Sequence, residues 1–544
     1  MGERIDQNLR GSWSPAGGAL PPHALRWLGG RIGLRARSTH AAPDSALEVG
    51  PSALSEAAAE ALGAVVGAGH VRLDRASRLG HAGGLSYVDL LGYRAGGELA
   101  VPDAVVLPAT PEQVVPVLAA CVEHDLAVVP FGGGTSVVGG VAALRGDKAA
   151  VVALDLGRLD RLVSVDPVSR IAVLQAGVTA PEAERLLAPH GLTLGHVPQS
   201  FERATIGGFA ATRSAGQASS GYGRFEDMVE GVRVATPVGE WVLGAAPASA
   251  AGPDLRQLVV GSEGAFGVIT EVSLRVRPRP VVERYEGFVV DGWEAGAAVV
   301  RALAQGRVLA DVTRLSDEDE TEVSLALSGG VKAAAVRAYL KARGVRRPCL
   351  LILGWHAGSS PELRARRAAS LALVRGAVRL GSAMGEAWRH GRFNGPRQRD
   401  VLLDVGVCVE TLETATRWSR LAELRESVRA ALVDALGTAV VMCHLSHAYE
   451  TGASLYFTVL APRDPDDPVG QWRVAKAAAS EAIAGVGTIS HHHAVGVDHA
   501  PYLEAEIGGL GVEVLAAVKR TLDPTGVLNP GKLISSERSP RSSP

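Results

Sequence analysis

The chain has 544 residues, a formal net charge of −2 at pH 7 and 47% hydrophobic residues. This length corresponds to about three to four domains, and the near-neutral charge argues against a nucleic-acid-binding protein. The four cysteines include no C-x-x-C pair, which argues against a zinc ribbon or a disulfide framework and favours a cytoplasmic setting. No run of 18 apolar residues occurs, so we expect no membrane-spanning segment.

Residues 1–100 are predicted to form an N-terminal extension and a helical region. Gly, Pro, Ser and Arg dominate up to about residue 45, apart from a short amphipathic stretch at Pro22–Leu34. That stretch is a candidate for peripheral contact with a membrane surface. From Ser52 to about Leu91 the chain is rich in alanine and has a helical pattern.

A small α/β layer is predicted next. Ala104–Leu107 and Leu126–Pro130 read as strands, and the segment between them reads as a helix. Thr110 suits the N-cap of that helix, and Gln113 would complete a capping box. Val151–Leu154 continues the sheet.

The strand at Leu126–Pro130 leads into a first glycine-rich segment, residues 130–137, which reads PFGGGTSV. Glycine lets the backbone approach a ligand closely, and successive N–H groups can converge on an anion such as phosphate. Thr135 and Ser136 add hydroxyl donors. The segment has neither the G-x-G-x-x-G pattern nor the P-loop lysine, so by itself it is also consistent with a tight turn.

Two more glycine-rich segments follow, at residues 195–216 and 261–270. The first of these reads as a long loop, which inside a compact domain is usually functional. The second precedes an alternating strand that ends near Val276. Three such segments, each next to a strand, suggest one extended ligand such as a dinucleotide.

Together these segments resemble the flavoprotein family of vanillyl-alcohol oxidase and p-cresol methylhydroxylase (PCMH). Its pattern is P-F-G-G-G-T-S, then P-x-S…T-I/V-G-G, then G-S-E-G-x-x-G-V-I-T, and Leu522–Lys532 resembles its closing segment. The resemblance implies an α/β (α+β) fold. A two-subdomain PCMH-type FAD-binding domain at 101–280 would precede an α/β cap domain at 281–480. A C-terminal helical segment at 481–544 would return to the FAD domain.

The resemblance also implies that FAD is bound noncovalently. The residues implied to hold it are Pro130, Phe131, Gly132, Gly133, Gly134, Thr135, Ser136, Pro198, Ser200, Thr205, Gly207, Gly208, Thr212, Arg213, Ser214, Glu263, Gly264, Gly267, Val268 and Ile269.

Within that family, the second half of the chain resembles the alkyldihydroxyacetonephosphate synthases. The matching stretches are Thr212–Gly216, Arg399-Asp400 with Glu410 and Glu413-Thr414, Tyr449–Phe457 and Ser490–Gly496. The resemblance implies exchange of the acyl chain of acyl-dihydroxyacetone phosphate for a long-chain alcohol, without net redox, by a homodimer. One departure is that Val497 and Asp498 stand where the synthases usually carry a basic residue.

Several residues would carry this chemistry. Histidine exchanges protons near neutral pH, so His491, His492 and His493 are predicted to be catalytic, with mutual repulsion keeping a base neutral. Tyr456 is predicted to donate a proton beside them. Arg399 would clamp the substrate phosphate through its planar guanidinium, and Arg213 would lie near the flavin or the same phosphate.

Three alternatives are weighed at this stage. His444 and His447 could ligate a metal, but a strand through both would put them on opposite faces, so no metal site is predicted. The same FAD segments would also serve an FAD-linked dehydrogenase or oxidase of a D-2-hydroxy acid such as lactate or glycolate. In a third reading the chain is a flavin-free binding protein. The expected partners are small-molecule lipid substrates, with no nucleic acid, and the expected location is cytoplasmic or peripheral at a membrane.

Overall fold

The computed structural model describes residues 10–13, 18–244 and 246–534. The N-terminal region consists of short helices and two-residue strands, and the alanine-rich stretch is helical as predicted. Ser55 and Ser86 cap two of these helices through side-chain hydrogen bonds. The elements are α1 (Pro22–Ile32), β1 (Leu47–Glu48), α2 (Glu56–Val66), β2 (Val71–Arg72), α3 (Arg75–Leu79), α4 (Tyr87–Ala95) and β3 (Gly97–Glu98). Residues 1–9 and 14–17 of the predicted extension lie outside the described residues.

The predicted α/β layer is present. Its elements are β4 (Ala104–Val106), α5 (Val114–Glu123), β5 (Leu126–Phe131) and β6 (Ala150–Asp155), and the sheet order is β2-β4-β6-β5. Strands β4, β6 and β5 run parallel and are almost wholly buried, which explains their continuous apolar sequences.

The predicted capping box at Thr110 is wrong. Pro111–Gln113 forms a 3₁₀ turn, and Thr110 makes no side-chain cap bond. The Gln113 side chain reaches one residue further back and accepts from the N–H of Ala109 at 2.7 Å. Its amide also donates to the carbonyl of Val65 at 2.9 Å, which ties this turn to α2.

A second layer is built on a five-stranded antiparallel sheet of order β11-β10-β12-β8-β7. Short helices pack on it and connect it to the cap. The elements are β7 (Leu162–Asp166), β8 (Ile171–Gln175), α6 (Ala180–Leu187), β9 (Leu192–Thr193), α7 (Ile206–Thr212), α8 (Ser219–Tyr222), α9 (Phe225–Met228), β10 (Val229–Thr236), β11 (Gly239–Leu243), α10 (Arg256–Val259), β12 (Val268–Arg275) and β13 (Arg277–Pro278).

The cap is a seven-stranded antiparallel sheet of order β17-β14-β16-β15-β19-β20-β18, with helices packed against it. Trp293, Trp355 and Phe457 are among its fully buried side chains. The elements are β14 (Val282–Asp291), α11 (Trp293–Gln305), β15 (Val312–Ser316), α12 (Glu318–Ser328), α13 (Gly330–Ala342), β16 (Pro348–Ala357), α14 (Ser360–Leu373), β17 (Val378–Gly381), α15 (Ser382–Gly391), α16 (Gly395–Asp404), β18 (Val407–Arg417), α17 (Leu421–Leu436), β19 (Val440–Leu445), β20 (Gly452–Pro462) and α18 (Pro468–Ile483).

After the cap, the chain passes through helix α19 (Leu503–Leu522) and returns to the first layer. The N–H of Val128 in β5 donates to Val527, and the N–H of Asn529 donates back to Val128, both at 2.8 Å. The Asn529 side chain donates to the carbonyls of Gly140 and Glu263. The closing segment therefore fixes β5 and the third glycine-rich segment together. Among the described residues, no helix has the length and apolarity needed to cross a membrane.

Candidate active site

The first glycine-rich segment turns closely against residues 203–205. A Cβ on Gly133 would lie 2.2 Å from the carbonyl oxygen of Arg203, and one on Gly132 would lie 2.4 Å from Thr205 Oγ1. Gly134 adopts φ +59°, a conformation that favours glycine. The three glycines are therefore required by this close approach.

The second segment contains a helix where the sequence indicated a long loop. Thr205 caps α7, because its Oγ1 accepts from the N–H of Gly208 at 3.3 Å. A Cβ on Gly207 would lie 2.6 Å from the Cβ of Ala176, so only glycine lets α7 lie this close to the end of β8. The loop prediction was wrong because the small residues serve close helix packing.

The third segment joins the other two. The N–H groups of Gly261 and Glu263 donate to the carbonyls of Ala210 and Ala211 in α7, at 2.9 and 3.0 Å. A Cβ on Gly264 would lie 2.7 Å from Cγ of Pro130. The three segments therefore meet at one place, next to the end of β5 and the start of β12.

A cavity of about 790 Å³ opens where these segments meet and extends into the cap. Most residues predicted to hold FAD line it. They are Pro130, Phe131, Gly132, Gly133, Gly134, Thr135, Ser136, Pro198, Ser200, Thr205, Gly207, Gly208, Thr212, Ser214, Glu263, Gly264, Gly267 and Ile269.

Arg213 and Val268 do not line the cavity. Arg213 ends α7 in the left-handed conformation, and its guanidinium donates to the carbonyls of Val260 and Gln257 at 2.9 and 3.0 Å. The Val268 side chain is buried in the core of the first layer. The guanidinium of Arg213 therefore fastens the third segment, and its predicted place near the flavin or the substrate phosphate stays a prediction.

The cavity suits a dinucleotide. The backbone N–H groups of residues 132–136 have no hydrogen-bond partner among the described residues. Gly133 and Gly134 are buried, so their N–H groups need an acceptor, and the oxygens of a diphosphate would supply one. The volume also lies in the range typical of ligand sites, about 300–1,000 Å³.

The three adjacent histidines are held by one carboxylate. Glu413 of β18 is 1% exposed and accepts from the backbone N–H groups of His491, His492 and His493 at 2.8, 3.1 and 2.8 Å. It also accepts from the hydroxyl of Ser490 at 2.8 Å. The neighbouring histidines hold the pKa of this carboxyl well below its usual range despite its burial.

His492 and His493 line the cavity, whereas His491 lies behind them and is buried. Burial lowers the pKa of all three imidazoles, that of His493 to about 3, so they are neutral bases at pH 7. Repulsion between the rings contributes less than burial for His491 and His493. The predicted neutrality therefore has a different main cause from the one expected.

Tyr456 also lines the cavity, with its ring between two histidines. The ring centroids lie 4.8 Å from His444 and 5.9 Å from His492, both in stacked geometry. Burial raises the pKa of Tyr456 to about 12, so the phenol keeps its proton. It is thus placed beside the histidines, as predicted.

Arg399 projects from α16 into the same cavity. Its Nη1 lies 3.9 Å from Oε1 of Glu410, and its buried Nε has no hydrogen-bond partner among the described residues. Glu410 is itself occupied, since it accepts from the N–H groups of Thr411 and Tyr87. The guanidinium is therefore free to bind a further anion.

His444 and His447 do not act as a pair. His444 contacts Glu320 and Arg314 at 3.1 and 3.0 Å. His447 instead stacks on His491, with ring centroids 5.0 Å apart. Nitrogen atoms of His447, His491 and His492 lie within 4.8 Å of one another, and both ring nitrogens of His491 are engaged, with His492 and with the hydroxyl of Tyr449.

Sequence reasoning missed the contacts of Glu413 and Trp13. Glu413 was noted as part of a matching stretch, and a carboxylate inside the apolar run of β18 is a signal for a buried partner. Trp13 lines the cavity and bridges two regions, because its N–H donates to Asp400 at 2.6 Å and its indole to Glu202 at 2.9 Å. Nothing in the local sequence indicates that bridge.

Comparisons with known proteins agree with this geometry. A family model described as FAD binding domain matches residues 102–243, and one described as FAD linked oxidases, C-terminal domain, matches residues 279–533. The two matches cover both layers and the cap, and they confirm the predicted FAD cofactor.

Curated relatives narrow the family. An alkyldihydroxyacetonephosphate synthase of Trypanosoma brucei brucei is 31% identical over 91% of this chain and 83% of its own length. One of Dictyostelium discoideum is 31% identical over 85% of this chain and 78% of its own length. A solved structure of an alkyldihydroxyacetonephosphate synthase matches with a TM-score of 0.83 and 27% identity, covering 97% of this chain and 99% of the other, which confirms the predicted fold class. The chain belongs to the alkyldihydroxyacetonephosphate synthase family of FAD-linked enzymes.

Proposed function

We propose that this chain exchanges the acyl chain of acyl-dihydroxyacetone phosphate for a long-chain fatty alcohol, which forms an ether lipid precursor without net redox. The observation that carries the proposal is one continuous cavity. It joins the glycine-rich cradle, the neutral histidines, an arginine free to bind an anion and an apolar wall.

The apolar wall supports a lipid substrate. It lies on the cap side of the cavity and is formed by helices α12 and α16 and by strands of the cap sheet. Its members are Val323, Leu327, Leu350, Leu402, Val409, Met442 and Leu460. Burial of each methylene of an acyl or alkyl chain against such a wall contributes about 0.8 kcal/mol.

The polar side chains suggest a division of roles. Arg399 would bind the substrate phosphate, because a guanidinium matches its geometry. His492 and His493 would accept a proton from the substrate carbon or from the alcohol, since both are neutral and line the cavity. Tyr456 would donate a proton beside them. Bound FAD, held by the three glycine-rich segments, would supply an electrophilic ring to the reacting carbon.

The test is direct. We expect purified protein to be yellow and to convert palmitoyl-dihydroxyacetone phosphate and hexadecanol into the hexadecyl ether, with release of palmitate in equal amount. Mass spectrometry measures both products. The flavin spectrum before and after turnover should be the same, because no net redox occurs. A yellow protein that makes no ether from these substrates contradicts the proposal.

An FAD-linked D-2-hydroxy-acid dehydrogenase is the competing function, because the cap matches the C-terminal domain of FAD linked oxidases. Anaerobic addition of D-lactate or glycolate distinguishes the two. Bleaching of the flavin absorbance supports the dehydrogenase, whereas an unchanged spectrum together with ether formation supports the synthase. Colourless protein would favour a flavin-free binding protein.

We also propose noncovalent FAD, a homodimer and a cytoplasmic location with peripheral membrane contact. These follow from the resemblance of the sequence to the synthases. Acid precipitation should leave all FAD in the supernatant. Light scattering should give twice the mass of one chain, and vesicle sedimentation should report membrane contact.

A further inference from the structure

A hydrogen-bonded path leads away from the cavity through residues that the proposed chemistry has not used. His492 lines the cavity, and its Nδ1 lies 2.9 Å from Nδ1 of His491. Nε2 of His491 lies 2.6 Å from the hydroxyl of Tyr449. Neither His491 nor Tyr449 lines the cavity, and Tyr449 is partly exposed next to the exposed Glu450. The path therefore runs from the cavity wall toward solvent.

The middle of the path is held rigidly. The backbone N–H of His491 donates to Glu413 at 2.8 Å, and its carbonyl accepts from Arg224 at 2.7 Å. The ring of His447 stacks on that of His491, and Nδ1 of His447 is bonded to the hydroxyl of Ser219 at 2.6 Å. The imidazole of His491 thus has both nitrogens engaged along the path and little freedom to turn.

Two charged groups lie beside the path: Arg224, and Glu413, whose Oε2 lies 3.4 Å from Nδ1 of His492 while it accepts from the N–H of His491. Arg224 is paired with Glu226, its Nε lying 2.9 Å from Oε1. Burial lowers the pKa of His491 and His492 and raises that of Tyr449, so each group holds its ordinary neutral form and passes a proton on rather than retaining it. A chain of neutral donors and acceptors at these distances is suited to proton transfer.

The proposed function, on which this inference rests, needs such a path. An alcohol and an ester give an ether and a carboxylate, so one proton must leave for each turnover at neutral pH. The alcohol attacks inside a cavity bounded by buried side chains. Its proton therefore needs an exit other than the route by which the lipids enter.

We infer that Tyr449 is the outer member of a proton relay, His492–His491–Tyr449, that exports the proton of the alcohol from the cavity. His492 takes the proton at Nε2 and passes the hydrogen on its Nδ1 to Nδ1 of His491. His491 passes the hydrogen on its Nε2 to the oxygen of Tyr449, which releases its own hydroxyl proton to water. Each group keeps its charge, no electrons move, and the reverse sequence delivers a proton.

The test compares Tyr449→Phe with Tyr285→Phe in the FAD-loaded, full-length protein. Tyr285 is a matched control, because its hydroxyl lies 2.7 Å from Nε2 of His356 and the residue does not line the cavity. We expect Tyr449→Phe to lower kcat by about 100-fold with KM unchanged, which is the low end of the range for loss of one general acid–base group. Tyr285→Phe should keep the kcat of the unaltered chain.

Two readouts separate a relay from a structural role. Added imidazole should restore kcat of Tyr449→Phe with saturation, because a small base can take over the lost transfer. The solvent deuterium isotope effect on kcat should rise in Tyr449→Phe and stay constant in Tyr285→Phe. A kcat of Tyr449→Phe equal to that of the unaltered chain overturns the inference, and so does a loss that imidazole does not restore.

A measurement without turnover keeps this inference distinct from the proposed function. In protein labelled with ¹⁵N-histidine and loaded with FAD, the Nε2 resonance of His491 should shift in Tyr449→Phe and remain in place in Tyr285→Phe. An unchanged resonance in Tyr449→Phe overturns the relay whether or not the protein makes ether. Absence of ether formation together with the expected shift would contradict the proposed function alone.

Discussion

At the residue scale, Arg399 is a half-buried cation whose ion-pair partner, Glu410, stands beyond hydrogen-bonding distance. Its Nη1 lies 3.9 Å from Glu410, which already accepts two backbone N–H groups. A guanidinium that forms no bidentate pair with a carboxylate can bind a phosphate without first losing such a pair.

Replacing Arg399 by Ala should therefore raise KM for the phosphorylated ketone by about 10- to 100-fold, because charge-assisted hydrogen bonds contribute about 1.5–3 kcal/mol. KM for hexadecanol should change little. Arg397 on the same helix is the matched control, since it pairs with Glu202 and does not line the cavity. Steady-state kinetics with both variants checks this, and equal KM values in the two would remove the clamp role.

Glu413 accepts hydrogen bonds from the backbone N–H groups of the three histidines and does not itself line the cavity. Replacing it by Gln keeps the shape but turns an amide NH₂ toward backbone N–H groups that need an acceptor. We expect kcat to fall about 10- to 100-fold with FAD retained, because the three imidazoles lose their fixed position. The control is Glu286→Gln, a fully buried carboxylate that is paired with Arg367 and Arg379 at 2.9 Å each and does not line the cavity. It should lower the melting temperature and leave kcat unchanged, and equal kcat losses in both variants would refute the positioning role.

At the element scale, α7 shows how glycine permits a close contact. Gly207→Ala would place a Cβ 2.6 Å from that of Ala176, and overpacking of this kind typically costs about 1–3 kcal/mol. We expect a lower affinity for FAD, because α7 carries Gly208 and Thr212 to the cavity wall. Gly30 lies inside α1 with no atom within 4 Å of an added Cβ, so Gly30→Ala should keep FAD affinity. Fluorescence titration of the apoprotein measures both affinities, and equal values would contradict the packing argument.

The sequence predicted helices and strands correctly where their formation depends on one local physical cause. Apolar runs predicted β5 and β6, because a parallel strand that is buried on both faces has apolar residues at nearly every position. The prediction from sequence failed at α7. The local composition indicates a loop, whereas the helix depends on its close contact with Ala176. The hydrogen bonds of Arg213 could not be predicted for the same kind of reason. Its guanidinium bonds carbonyls of α10 and of the segment after it, which sequence spacing cannot reveal.

At the scale of the whole molecule, the site is assembled from parts that lie far apart in the sequence. Glu263 of the second layer accepts from the N–H groups of Val495 and Gly496, directly after the three histidines. Glu413 of the cap holds the histidines themselves. The motif-bearing segments, with Glu263 and Glu413 among them, could be recognised in the sequence. The contacts by which these two carboxylates join the segments could not, because each acts on a partner at least 77 residues away.

This assembly depends on buried neutral histidines, which makes the whole fold sensitive to acid. Burial lowers the pKa of His196 and His493 to about 3, and it also lowers that of His444, His447, His491, His492 and His499. An unfolded histidine has a pKa of about 6.5. Below that pH the unfolded chain binds protons that the folded chain does not, so the free energy of unfolding falls as the pH falls.

The loss should reach roughly 1.4 kcal/mol per pH unit for each histidine that stays neutral when folded. Buried carboxyls work in the opposite direction, because burial raises their pKa and their contribution is lost as the pH rises through the raised value. Burial raises the pKa of Glu263 to about 7 and that of Asp317 to about 6, and it also raises that of Asp89, Glu226, Asp400 and Glu410. The seven imidazoles outnumber these six carboxyls. Urea unfolding of the FAD-loaded protein should therefore give a clearly lower free energy of unfolding at about pH 5 than at about pH 7. His493→Gln should reduce this difference, and equal stability at the two pH values would contradict the burial of neutral histidines.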